Sequence, residues 1–575
     1  MKKEIVSTFW VLLLLTSLLG SRVLVSAQEI ATGIQSGNIN ALGMQAGSTD
    51  IMLQGFYWQC KNNGQHGDWY DLLIAKADDI KETGITMIWF PPASKTPRWD
   101  IGEGGDQYSA VGYVPMDYYD LGEYRQWIQD GYPNYTGNWY QHTGSETLYG
   151  SLGELQTAIN AFHNRGIKVL ADLVLNHRGP RQKNQCGETI SWLDNLGQVA
   201  SGKMLWGNYY DCNPPEIWSG DGGSGSDDGE TGFGPNVSHQ NANVKNQFKE
   251  WLGWLRNSIG FDGWRYDYVK GFSPTHIKDY NDSTNPYWSV GEFFDGNTNA
   301  IVNWINSTHI DNAKRSTAFD FPTKFILTNN FGTDNYSALA SLPGLIGRWP
   351  EKAVSFLDNH DTHPPHENPQ AFPDSRLLEG YAYILTHPGV PCIFWQHFYE
   401  KSPTVHNKIK ELAQIRKEQG ITNTSSVKIL RAQQGLYAAE VDGKLVVKLG
   451  PNTWQPSDAG LSGYTLRTEF GNYKIWVKGD TPPPNNVVTT FRIHKDVGFG
   501  NFVAIRGSLP QLSNWGAPGR AGNWTTGNIW IYTTTEIPLG QPFEWKSLKN
   551  DAIWESGGNH YGVGGGTYDI YPNGY

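Results

Sequence analysis

Between residues 50 and 419, short apolar runs rich in β-branched and aromatic residues alternate with stretches of helical periodicity. The runs are IMLQGFYW, ITMIWFPP, IKVLADLVLNH, FDGWRYDYV, WSVGEFFDG, TAFDFP, AVSFLDNHD and PCIFW. The helical stretches between them include WYDLLIAKADDIKETG, LGELQTAINAFHNRG and NVKNQFKEWLGWLRNSIG, each ending on glycine, a helix stop signal. Strands alternating with helices predict a parallel sheet, and about eight such units in this length predict a (β/α)8 TIM barrel of the α/β class. A doubly wound open sheet is the competing architecture.

The rhythm breaks once. Between ADLVLNH and NVKNQFKEW lie roughly sixty-five residues, too many for a structureless loop in a compact domain. They read as an inserted subdomain after strand 3, residues 178–243, within a catalytic domain of 49–419. After about 420 the pattern becomes short strands without helices, which predicts a C-terminal β-sandwich domain over 420–480. TPPPNN at 481–486 is a stiff linker, and 487–575 is again all β and large enough to fold alone.

The first 27 residues carry two lysines, an apolar run and small residues ending at Ala27, as a secretory signal peptide does. A small, polar, flexible lead-in follows at 28–48. The apolar run is short for a membrane span. An exported, extracellular, monomeric protein without a membrane partner is therefore expected.

Composition narrows the partners. A net charge of −11 argues against nucleic acid. The 24 Trp, 29 Tyr and 23 Phe suit both sugar rings and ordinary cores, and by themselves leave the two even. Four cysteines are too few for a disulfide scaffold. Cys186 and Cys212 share a loop-rich region and can pair in an oxidising compartment, whereas Cys60 and Cys392 read as buried free thiols.

Polar residues gather at the C-terminal ends of four predicted strands. DLVLNH carries Asp172, Asn176 and His177; WRYDYVK carries Arg265, Asp267 and Lys270; VGEFFDG carries Glu292; FLDNHD carries His360 and Asp361. In a parallel barrel these ends meet on one face. Arg265 and Asp267, two apart on a strand, point the same way. They read either as a buried ion pair or as an anionic nucleophile with its cation. Carboxylates without a cysteine or serine nucleophile point to glycoside hydrolysis, which needs one protonated acid and one carboxylate at the anomeric carbon. Arg265 is expected to hold Asp267 ionised, and the apolar neighbours Val290, Phe293 and Phe294 to keep Glu292 neutral. In the insertion, DDGETGFGPN offers Asp227, Asp228, Glu230 and Asn236 as hard oxygen ligands suited to calcium, or simply a solvated acidic turn.

These four segments, in this order, resemble the four signature regions of the alpha-amylase family of glycoside hydrolases, over about 50 to 480. QGFYW at 54–58 and GYVPMDYYDLGEY at 112–124 resemble further family segments. The style is nearest to archaeal, plant and maltotetraose-forming bacterial amylases. The resemblance implies Asp267 as nucleophile, Glu292 as general acid/base and Asp361 as the group that binds the distorted sugar. It implies that Arg265, His177 and His360 position Asp267 and that sugar, that Tyr113 stacks beneath the ring, and that Lys270 reaches a sugar on the leaving side. It implies a calcium site of Asn176, Asp227, Glu230, Asn236 and the Gly271 carbonyl, with Asn236 standing where many relatives have Asp. The tail, FVAIRGSLPQLSNW to FEWKSLKNDAIWES, resembles a starch-binding domain. There Trp515 and Trp554 match its paired stacking tryptophans, and Lys546 and Asn559 the nearby polar contacts.

The expected activity is retaining hydrolysis of α-1,4-glucosidic bonds in starch, with granule anchoring by the last domain. Exo-acting release of short maltooligosaccharides and transglycosylation are the enzymatic alternatives. A starch-capture protein that has lost activity is the alternative of a different class, disfavoured because Asp267, Glu292 and Asp361 are all present.

Overall fold

The computed structural model describes residues 45–60, 68–96, 111–125, 145–178, 199–206, 236–364, 370–479, 488–538 and 540–575, with a few short pieces between 127 and 217. The leader at 1–27, the first part of the lead-in, most of the insertion and the 481–486 linker lie outside these residues.

Eight parallel strands close into a barrel: β1 Met52–Gln54, β2 Met87–Trp89, β3 Lys168–Leu173, β4 Gly263–Tyr266, β5 Trp288–Gly291, β6 Thr317–Phe319, β7 Ala353–Phe356 and β8 Val390–Phe394. Each is followed by a helix on the outside: α1 Asp68–Thr83, α2 Leu152–His163, α3 Ala242–Trp254, α4 Pro274–Thr284, α5 Thr298–Thr308, α6 Phe321–Phe331, α7 Leu377–Thr386 and α8 Pro403–Glu418. The predicted barrel is what the chain forms, and the open sheet is excluded by the pairing of β8 with β1.

Local signals place these elements. Ser151 and Glu154 form a reciprocal capping box at the start of α2. After α2, Gly166 has φ +71°; after α3 and a π-helical turn (Leu255–Ile259), Gly260 has φ +108°. That left-handed conformation costs glycine least, and so the chain turns back into the sheet at these points.

Strand β4 shows the alternation at work. Trp264 donates to Thr284 Oγ1 at 3.0 Å and Tyr266 to Asn281 Oδ1 at 2.9 Å, both outward on α4. Arg265 and Asp267 point inward together. On β5, Gly291 leaves room for Trp304 of α5: a Cβ there would come within 2.1 Å of the indole.

The region after α8 is one five-stranded antiparallel sheet built from Val427–Gln433, Leu436–Val441, Leu445–Leu449, Tyr464–Phe470 and Tyr473–Lys478. The expected sandwich is thus a single sheet, because the barrel supplies the second layer. Tyr437, Ala439, Val441, Leu445, Val447 and Ile475 join the barrel core, while Leu436, Ala438, Val446, Trp454 and Trp476 form a small cluster on the other face. Buried Glu379 of α7 fastens the sheet, accepting from Tyr336, Gly450 N–H and Asn472. The end of the lead-in is tied down rather than loose: Gly47 and Ser48 N–H both donate to Asn423 Oδ1.

Residues 488–575 form two packed sheets of their own, with Phe491, Ile493, Ile505, Leu512 and Trp545 in the core between them. Cys186 and Cys212 are joined as a disulfide; Cys60 and Cys392 are free and buried.

Candidate active site

At the C-terminal ends of β3, β4 and β5 one guanidinium organises the site. Arg265, fully buried, reaches Asp172 Oδ1 at 2.8 Å and Asp267 Oδ1 at 2.7 Å through Nη1, and Glu292 Oε2 at 2.8 Å through Nη2. It lies over the rings of Trp89 (4.8 Å) and Tyr113 (5.7 Å). Asp172 is the anchor behind it: its second oxygen accepts from Trp89 Nε1 at 3.0 Å and Tyr113 OH at 2.7 Å. That hydrogen bond fixes the Tyr113 ring. His177 Nε2 donates to the Tyr113 carbonyl at 2.8 Å.

Glu292 sits one residue beyond β5, and its Oε2 accepts from Tyr268 N–H at 3.1 Å. Tyr268 holds a left-handed backbone (φ +40°), an uncommon state for a bulky residue, and this turns its amide toward the glutamate. From the β7 side, His360 Nδ1 accepts from Gln54 at 2.9 Å, which leaves its Nε2–H facing Asp361 Oδ2 at 3.3 Å. Its ring stacks on Tyr113, 5.1 Å between centroids and 13° from parallel. Asn359 Oδ1 caps the Asp361 and Thr362 amides and fixes that turn. Lys270 lies beside the cluster with its ammonium 3.5 Å from Asp295.

The structure therefore brings Tyr113, His177, Arg265, Asp267, Glu292, His360 and Asp361 together. The expected division of charge is not what the geometry gives. Arg265 touches Glu292 as closely as Asp267, so it cannot single out one of them. Phe293 packs toward Trp304 and Phe294 toward Phe321, leaving Glu292 facing polar groups rather than apolar ones. Burial pushes the Asp267 carboxyl well above the usual carboxylate range. Arg265 opposes this and Glu292 adds to it. Asp361 is raised in the same way, by burial first and then by Glu292. Asp172 is raised as well, again by burial first, so these three aspartates around one guanidinium hold protons more tightly than isolated carboxyls do.

Of the calcium candidates, Asn176, Asn236 and Gly271 are described; Asp227 and Glu230 lie outside the described residues. Asn176 Oδ1 is buried without a hydrogen-bond partner. A Cβ at position 271 would lie 1.9 Å from it, so only glycine fits beside that oxygen. Asn236 joins the same point, with Oδ1 3.4 Å from Asn176 Nδ2. An orphaned carbonyl oxygen opposite a glycine fits a hard cation.

In the C-terminal domain Trp515 and Trp554 lie 6.0 Å apart, and Arg506 lies over the Trp554 ring. Ser513, Asn514 and Trp515 all have positive φ, a strained turn that carries the partly exposed Trp515. Lys546 donates to the Gly557 carbonyl and Asn559 to Glu544 at 2.9 Å, both near this pair in the fold. A second aromatic face escaped the sequence reading. Phe499, fully exposed between Gly498 and Gly500, and half-exposed Trp524 line a cleft of about 440 Å³ with Trp530 and Asn528. The GFG triplet was its only local signal.

A closed parallel barrel with carboxyls gathered on its C-terminal face has the architecture of a barrel enzyme, here followed by a separate β module with exposed aromatic rings. Residues 418–477 match the family profile "Alpha-amylase C-terminal beta-sheet domain", and residues 486–564 match "Starch binding domain". Probable alpha-amylase 2 of Arabidopsis thaliana is 31% identical over 453 residues, covering 75% of this chain and 94% of that protein. The chloroplastic alpha-amylase 3 of the same plant is 33% identical over 445 residues, and this chain spans only 44% of its length. The glucan 1,4-alpha-maltotetraohydrolase of Roseateles saccharophilus is 28% identical over 556 residues, 89% of this chain and 91% of that one. The chain belongs to the alpha-amylase family of glycoside hydrolases.

The raised Asp267 carboxyl carries a stability consequence. The folded state binds a proton that the unfolded chain releases, so this contribution weakens as pH rises above the unfolded value of about 4. Asp267→Asn should melt a few degrees higher than the parent near neutral pH, with the gap closing toward about pH 4. Calorimetry across that range checks it, and a gap that is constant or reversed contradicts it.

Proposed function

We propose that this protein hydrolyses α-1,4-glucosidic bonds of starch with retention of anomeric configuration. The observation that supports it most is the pair Asp267 and Glu292 held on one buried guanidinium, with Asp361 beside them, in a chain of this family. In the proposed reaction Glu292, in its acid form, protonates the glycosidic oxygen. Asp267, in the ionised form that Arg265 favours against the effect of burial, attacks the anomeric carbon and forms a glycosyl-enzyme ester. Glu292 then deprotonates the incoming water, which cleaves the ester and restores both carboxyls. Asp361 binds hydroxyls of the distorted sugar. Tyr113, fixed by Asp172 and His360, forms the platform beneath the ring. His177 holds the backbone of that platform, and Lys270 reaches the leaving side.

Calcium is proposed between Asn176, Asn236 and the Gly271 carbonyl, joined by Asp227 and Glu230; bound there, it ties the insertion to the barrel. The Trp515–Trp554 pair, with Lys546 and Asn559, is proposed to stack on glucose units of the granule, and the Phe499–Trp524 face to take a second strand. The leader sequence and the Cys186–Cys212 disulfide support export to an oxidising compartment. No helix among the described residues is long and apolar enough to cross a membrane. A second reading, exo-acting release of a short maltooligosaccharide, draws support from the likeness to the maltotetraohydrolase along most of the chain. Product lengths early in digestion separate the two.

Three outcomes are expected. Asp267→Asn and Glu292→Gln should each lower kcat on soluble starch at least about a thousandfold, and a milder loss in the folded variants contradicts the assigned roles. Trp515→Ala with Trp554→Ala should weaken adsorption to starch granules while leaving soluble-starch turnover near the parent rate; equal adsorption removes the pair from granule binding. Chelation should lower the melting temperature, with recovery on adding Ca2+ but not Mg2+. No shift contradicts the calcium site.

A further inference from the structure

We propose that Asp358, His363 and His397 form a binding site for one transition-metal dication of the Zn2+ class, between the loops that follow β7 and β8. All three side chains are buried, and their ligand atoms lie within 4.8 Å of one another. Tetrahedral ligands at bonds of ~2.0–2.2 Å stand about 3.3–3.5 Å apart, so a small inward rotation closes the site. Asp358 Oδ2 and His397 Nε2 are already 3.3 Å apart. That nitrogen makes no hydrogen bond of acceptable geometry although it is fully buried.

The outer partners suit metal-binding imidazoles, which anchor the nitrogen that does not bind. His363 Nδ1 donates to the Pro364 carbonyl at 2.9 Å, which leaves the lone pair on Nε2. His397 Nδ1 bonds the Tyr381 hydroxyl at 3.0 Å. Asp358 is oriented through its other oxygen, which accepts from Lys324 Nζ at 3.0 Å and Thr362 Oγ1 at 3.1 Å, and by Phe372 N–H, which is shared between Oδ1 (3.1 Å) and Oδ2 (3.0 Å) and leaves Oδ2 a further lone pair. Lys324 cancels the carboxylate charge, so electrostatics alone do not attract a hard ion such as Ca2+. Two imidazole donors instead select a borderline ion. His397 lies in a π-helical turn, Gln396–Glu400, directly after β8, a distortion that often marks a binding site. His360 and Asp361 lie between Asp358 and His363 in sequence. An ion bound there clamps the loop that carries them.

The test uses the full chain, stripped with a chelator and returned to buffer with excess Ca2+ so that oxygen-rich sites are filled. Titration with Co2+ should develop the visible absorption of a four- or five-coordinate ion, saturating at one equivalent and bleached by one equivalent of Zn2+. His363→Ala should bind Co2+ at least about 100-fold more weakly. X-ray absorption at the zinc edge of the parent protein should show two imidazoles, a reading that does not depend on any variant folding. Absence of the Co2+ band, a zinc shell without imidazole, or unchanged affinity in a folded His363→Ala variant overturns the proposal.

Discussion

The structure turns on the burial of Arg265. Removing a guanidinium from water costs on the order of several kcal/mol, and only close anions and hydrogen bonds offset that. Here Asp172, Asp267 and Glu292 do so from three adjacent strands, while Trp89 and Tyr113 cover the faces of the ion. Each of these partners is thereby fixed in place. The guanidinium sets where Asp267 and Glu292 stand. Asp172 links it to the Tyr113 platform, and Tyr113 stacks on the His360 ring that faces Asp361. Removing Arg265 would leave carboxyls buried against one another without a cation.

The same burial also governs how protons are held. It raises Asp172, Asp267 and Asp361 alike, with Arg265 opposing it at each, so the cation does not single out one of them. In the proposed reaction the roles of acid and nucleophile are therefore divided by where each carboxyl stands relative to the sugar, not by the cation.

Much of this arrangement was legible in the sequence, and the reasons are local. Alternation in FDGWRYD placed Arg265 and Asp267 on one face. Glycines after the helical stretches marked their ends, and polar residues at four strand ends converged as parallel topology requires. What was not legible depended on neighbours in space. Phe293 and Phe294 adjoin Glu292 in the chain yet turn away to Trp304 and Phe321, so the apolar pocket inferred for Glu292 does not exist. Asp172 looked like one polar strand-end residue among several, although it is the residue that joins Arg265 to Tyr113. Phe499 and Trp524, and likewise His363 and His397, stand far apart in sequence and meet only when sheets and loops pack. The second layer of the region after α8 was assigned to a second sheet because strand patterns do not say what covers an apolar face.

The proposed attack of Asp267 on the anomeric carbon, with Glu292 as acid and base, can be caught by trapping the intermediate with a fluorinated maltosyl fluoride, whose glycosyl ester forms faster than it hydrolyses, followed by peptide mass spectrometry. A single sugar adduct is expected on the peptide carrying Asp267, accumulating further in Glu292→Gln. An adduct on another carboxyl, or no adduct alongside products of inverted configuration, would contradict it.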